Sequence, residues 1–239
     1  MSTRSRHLPI WTRPEPGLRR PRFSRAEIAA AALKIADEEG FDAVSMRRVA
    51  AALGAGTMTL YHYVRTRDDL AALMDDAIMA EVLVPAGELP SDWRGALTAI
   101  ARRTRDVFVR HPWALLGLRQ AMPGPNGMRH FEQSLAAVAN LPVSMEARQD
   151  LLLLVDDFVF GHMLRTMAFR EMPALGADAM AALRSFGEAQ LATGAYPHIA
   201  AMVEAAGPDA FPTLDTVDQR FEAGLATILD GAAKRLGLE

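Results

Sequence analysis

Two glycines one residue apart, Gly54 and Gly56, divide the stretch 45–67 (SMRRVAAALGAGTMTLYHYVRTR) into two short helical patterns. No other feature limits the possible folds as much. Before them, Ser45 is a good N-cap, and Val49, Ala50 and Leu53 recur at helical spacing on one face. The glycines stop that helix and let the backbone turn sharply, as two helices crossing at a large angle require. After them, Thr57, Thr59, Tyr61, His62 and Tyr63, all hydrogen-bonding or aromatic, surround one candidate for burial, Leu60. A helix so short and so rich in hydroxyls and aromatic rings would make a poor core element. It is well suited to reading base edges in a DNA major groove. The plainer reading, two core helices joined by a glycine turn, leaves those polar side chains unexplained. One of the two tyrosines is expected to pack partly inward.

The flanking sequence frames this motif. Ser24-Arg25-Ala26-Glu27 is a capping box, and the helix it opens carries Ile28, Ala31, Ala32 and Ile35 on one face before ending at Gly40. Phe41 and Val44 then read as core plugs. Thr66-Arg67-Asp68-Asp69 is a second capping box, opening a linking helix over 67–82. Pro85, Gly87 and Pro90 mark a domain boundary. Residues 1–22 hold four prolines and six arginines without apolar periodicity, and read as a flexible basic arm. Its end nearest the fold, Arg19, Arg20 and Arg22, is placed to meet phosphates or a minor groove. The expected organisation is an arm over 1–22, a DNA-binding domain over 23–70, and a larger body over 83–239.

Charge divides the same way. Residues 1–67 hold 12 Arg/Lys against 6 Asp/Glu, net +6, while the remainder is net −9 within an overall −3. A basic head on an acidic body suits a protein that offers only one end to a polyanion. Half the residues are apolar, Ala is abundant and strand-like runs are scarce, so an all-α fold is expected. The body reads as helices near 93–110, 113–121, 129–140, 145–170, 177–193, 197–206 and 216–236. The 145–170 helix is apolar nearly all round from Leu151 to Phe160 and should be buried on more than one side. Phe221, Leu225, Ile228, Leu229 and Ala232 form an apolar stripe on the last helix, the expected dimer interface. The absence of cysteine excludes disulfides and fits a reducing cytoplasm. The most apolar run is broken by Asp156 and Asp157, so no membrane span or membrane partner is expected.

The segment 23–78, and LGAGTMTLYHYVRTRDDL at 53–70 above all, resembles the tetracycline-repressor (TetR) family of transcriptional regulators. The region Phe211 to Leu236, containing RFEAGLATILDG, resembles the end of the C-terminal domain in the branch that includes the tetracycline repressor itself. The resemblance implies an all-α homodimer, with an N-terminal helix-turn-helix domain and a larger helical domain for ligand binding and dimerisation. Its recognition helices would enter successive major grooves of a palindromic double-stranded operator. It also implies a cavity that binds a small effector and releases DNA. The family's base-reading positions fall on Thr57, Met58, Thr59, Tyr61, His62 and Tyr63, its phosphate contact on Arg67 and its buried anchor on Leu60. Ser45, Arg47 and Arg22 complete the set expected to face DNA. The magnesium-chelating ligands of the tetracycline-specific members have no match here. No metal or cofactor is therefore expected, and tetracycline is not the expected effector.

Trp113, Met122, Phe131, Phe158, His162, Met163 and Met167 are candidates for lining an adaptable, largely apolar effector pocket, though such residues are most often plain core. Asp156, Asp157, His162 and Arg165 interrupt a helix expected to be buried, and must be bonded to one another, across an interface or to a ligand. Enzyme classes find little support. There is no cysteine nucleophile, no phosphate-binding loop and no Glu followed three residues later by His. The alternative function is a helical small-molecule-binding protein without DNA-binding activity, which would leave the basic head idle.

Overall fold

A computed structural model describes residues 9–14, 23–117, 123–171, 176–207 and 214–238. All regular secondary structure among the described residues is helical, with no strand among them. The head comprises α1 (Arg25–Glu39), α2 (Met46–Ala52), α3 (Thr57–Tyr61) and the linking helix α4 (Arg67–Val82). The body follows as α5 (Trp93–Arg110), α6 (Ala114–Gly117), α7 (Pro125–Val138), α8 (Met145–Glu171), α9 (Ala177–Ala192), α10 (Pro197–Ala206) and α11 (Leu214–Leu236). Contacts divide the chain into one unit of residues 1–163 and 228–239, and a second of residues 164–227.

In the first unit, α4 is the central strut. Its Leu70, Leu73, Met74, Ile78 and Val82 are all buried. It packs against α1 on the head side and against α5 and α7 on the body side. Both expected capping boxes form: Ser24 with Glu27, and Thr66 with Asp69. α7 begins at Pro125, earlier than the expected 129. Proline suits the first helical position, and the carboxylate of Asp76 serves as a cap supplied by another helix. It accepts hydrogen bonds from the backbone of Asn126 at 2.7 Å and from its side-chain amide at 2.8 Å. Gly124 has to be glycine there, because a Cβ would collide with the Asp76 carboxylate and the Trp11 ring. Gln133 of α7 grips the backbone of Val84 with both ends of its amide, at 3.1 and 2.9 Å.

The arm departs from expectation over residues 9–14. Ile10–Thr12 form a 3₁₀ turn with Ile10 fully buried. Arg13 pairs with the buried carboxylate of Asp69, and Arg25 donates to the Arg13 carbonyl. Ile10 supplies apolar surface to bury, and Arg13 supplies a countercharge for Asp69.

Two expectations for the body are corrected. The stripe on α11 faces inward: Phe221, Leu225, Leu229 and Ala232 are buried within the single chain, and Ile228 is half-buried. The four buried side chains are covered within one chain and do not form the exposed apolar stripe that the sequence predicts. α8, conversely, is not covered all round. It buries Leu151, Leu152, Val155, Val159 and Met163 and leaves Leu153, Leu154 and Phe160 exposed. In the second unit α9 and α10 pack on each other, and neither buries a side chain.

Candidate nucleic-acid interface

The head's geometry follows from a few local constraints. Ser45 caps α2, its hydroxyl accepting from the Arg48 backbone at 3.3 Å. Val49 and Ala50 are buried beneath it. Gly54 ends the turn at φ +63°, a left-handed conformation that glycine adopts without a Cβ penalty. Gly56 then leads into α3, a five-residue helix whose one buried side chain is Leu60. Leu60 is the anchor the sequence implies.

Around that anchor the expected base readers separate into two groups. Met58, Tyr61 and His62 are exposed, Met58 at 76% and Tyr61 at 43%, while Thr57 and Thr59 are half-exposed. Tyr63 is different. It lies beyond the end of α3 and is only 3% exposed, with its ring edge-on to Phe23 at 6.4 Å. It is the tyrosine that packs inward, and it does not present its hydroxyl to a groove. Ser45, Arg47 and Arg67 are exposed beside α3's approach. Arg48 is tied to Glu39 at the end of α1, which leaves its neighbour Arg47 as the α2 arginine turned to solvent. Arg22 lies outside the described residues.

The turn from α3 into α4 is locked by one carboxylate. Asp69 accepts from the Arg65 backbone at 2.9 Å and the Thr66 backbone at 3.2 Å, pairs with Arg13, and donates its own backbone N–H to Thr66 Oγ1 at 3.0 Å. Arg67, the first residue of α4, therefore projects from a rigid corner. Its guanidinium lies over the Phe41 ring, 5.5 Å from the centroid. An exposed polar helix on a buried leucine, a capped neighbour and a fixed arginine make a surface suited to bases and phosphates.

Comparison with known proteins gives this surface its context. The family model described as bacterial regulatory proteins, tetR family, matches residues 28–74. The model for the tetracyclin repressor-like C-terminal domain matches residues 86–236, more than half of the chain. The chain belongs to the TetR family. Among curated relatives of the TetR family, the HTH-type transcriptional repressor DrrR1 of Streptomyces coeruleorubidus is 35% identical over 219 residues, covering 89% of this chain and 78% of that protein. The class A tetracycline repressor from transposon 1721 of Escherichia coli is 28% identical, covering 87% of this chain and 89% of that protein. Among solved structures, the Streptomyces coelicolor TetR family protein ActR in complex with actinorhodin matches with a TM-score of 0.69 at 28% identity, covering 88% of this chain and 95% of that one. The protein is thus a DNA-binding transcriptional repressor of the TetR family, and the family and its relatives are regulators, not enzymes. No helix among the described residues is long and apolar enough to cross a membrane.

The pocket candidates disperse. Met163 and Met167 are buried; Phe158 and His162 are half-buried on α8, with ring centroids 6.1 Å apart. Phe131 is 55% exposed, a position on the outer face of α7. Trp113 belongs to the junction of head and body instead, where its indole N–H donates to Asp37 of α1 at 2.7 Å. Met122 lies outside the described residues. Sequence reasoning missed His130 on α7, whose Nδ1 is buried without a hydrogen-bond partner and whose pKa burial lowers. A single histidine at no special spacing carries no signal that could have marked it.

Proposed function

We propose that this TetR-family repressor binds a palindromic operator as a homodimer, with α3 of each subunit in a major groove. Thr57, Met58, Thr59, Tyr61 and His62 read base edges, and Ser45, Arg47 and Arg67 meet the backbone. The observation that carries this reading is the exposure of Met58, Tyr61 and His62, with Thr57 and Thr59 half-exposed, around the fully buried Leu60. In the homodimer, the open face of α8 at Leu153, Leu154 and Phe160 packs against its mate, because exposed large apolar side chains on one helix favour burial. Its place of work is the cytoplasm.

The effector is a small, largely apolar molecule, held by an apolar site with few polar groups, of which His162 and His130 are candidates. ActR, solved in complex with actinorhodin, supports ligand binding by this kind of protein. Footprinting of the DNA flanking the protein's own gene tests the operator reading. A protected palindrome, lost as salt rises, is expected. Absence of any protected palindrome at low salt would overturn it. A thermal-shift screen of small aromatic and apolar compounds, followed by release from the operator, tests the effector class.

A further inference from the structure

We propose that Trp113 is a positioning residue for operator binding, acting through Phe41 to hold the Arg67 guanidinium where it meets phosphate. This rests on the reading above that Arg67 is a phosphate contact. The indole of Trp113 stacks on the ring of Phe41, with centroids 5.8 Å apart and planes within 8°. The same ring carries the Arg67 guanidinium at 5.5 Å. A stack alone can slide, but this one is pinned. Trp113 Nε1 donates to Asp37 Oδ1 at 2.7 Å, and that oxygen also meets His111 Nδ1 at 2.7 Å. On its other side His111 faces Glu81 of α4 at 3.4 Å, and Glu81 accepts from Arg110 at 2.6 Å. Trp113 is thereby keyed to the end of α1 and, through His111, to the far end of α4, whose first residue is Arg67. An exposed arginine normally loses rotamer freedom when it grips a phosphate. One already held over a ring loses less. Trp113 stands in the turn between α5 and α6, so the body contributes a side chain to the DNA-contacting end of the head.

The test is a double-mutant cycle, read as operator affinity by fluorescence anisotropy over a range of salt, using the full chain and the footprinted palindromic duplex. Arg67→Ala should weaken binding and lower the salt slope by about one per subunit. Trp113→Ala should weaken binding about five- to tenfold in the wild-type background and have little further effect in the Arg67→Ala background, since its benefit runs through that arginine. Phe41→Leu, which keeps apolar bulk and removes the ring, should give the same pattern and serves if Trp113→Ala does not fold. Losses that multiply in the double variants would overturn the positioning role while leaving the phosphate contact intact. An Arg67→Ala protein with wild-type affinity and salt slope would overturn the contact itself, and this inference with it.

Discussion

The carboxylate of Asp76 on α4 holds Asn126 at the start of α7 through both its backbone N–H and its side-chain amide, at 2.7 and 2.8 Å. Asp76 is 8% exposed, so these bonds satisfy a buried anion that would otherwise be costly. They also join the helix that leaves the DNA-binding head to a helix of the body.

Asp76→Ala should therefore destabilise the protein by about 2–3 kcal/mol, because it strands the amide donors at the start of α7. Urea denaturation followed by circular dichroism checks this. A midpoint equal to wild type would show that the cap contributes nothing to stability.

For the recognition surface, Thr57→Ala and Tyr61→Phe are each expected to weaken specific operator binding by about 1–3 kcal/mol. Tyr63→Phe should leave operator preference unchanged, because that ring is buried against Phe23. Competition binding with single-base-pair operator variants separates the two outcomes. A changed preference in Tyr63→Phe would mean that its hydroxyl reaches the groove after all.

The two apolar faces of the body predict opposite failures. Leu154→Asp, on the open face of α8, should give a folded monomer with lost operator binding. Leu225→Asp places a charge at a buried position and should cost about 3–5 kcal/mol of stability or abolish folding. Sedimentation and thermal melts of both variants decide the assignment. A Leu154→Asp protein that sediments as the wild-type dimer would move the interface elsewhere.

Burial, and secondarily the neighbouring charge of Asp76, raises the Asp75 pKa from 3.8 to about 6. The folded state thus holds this proton more tightly than the unfolded chain, so the contribution of Asp75 to stability falls as pH rises from about 4 to about 6 and stays low above that. Asp75→Asn should be more stable than wild type at pH 7.5 by about 1–2 kcal/mol, with the gap closing near pH 4. Urea titrations at both pH values check the sign. A variant less stable than wild type at pH 7.5 would mean that the charge is compensated in the fold.

Much of the head was legible in the sequence. The capping boxes at Ser24 and Thr66, the N-cap at Ser45, the turn at Gly54 and the anchor Leu60 all stand where the residues imply. Each depends on contacts within a few residues along the chain, and so does the family motif at 53–70. The linking helix over 67–82 matches to the residue for the same reason. The tertiary structure decided what those local rules leave open. An apolar stripe states that a face will be covered but not by what, so the α11 residues turned into their own chain while α8 kept Leu153, Leu154 and Phe160 outside. Tyr63 and Tyr61 have the same chemistry, and their surroundings separate them: Tyr63 is buried with its ring edge-on to Phe23, while Tyr61 is exposed. Ile10 and Arg13 left the arm for the fold because Asp69 and a buried site awaited them. Trp113 joined the head because its partners, Asp37 and Phe41, lie more than seventy residues away in the chain. Periodicity and caps are properties of a helix by itself; the choice of partner depends on which surfaces the folded chain brings together.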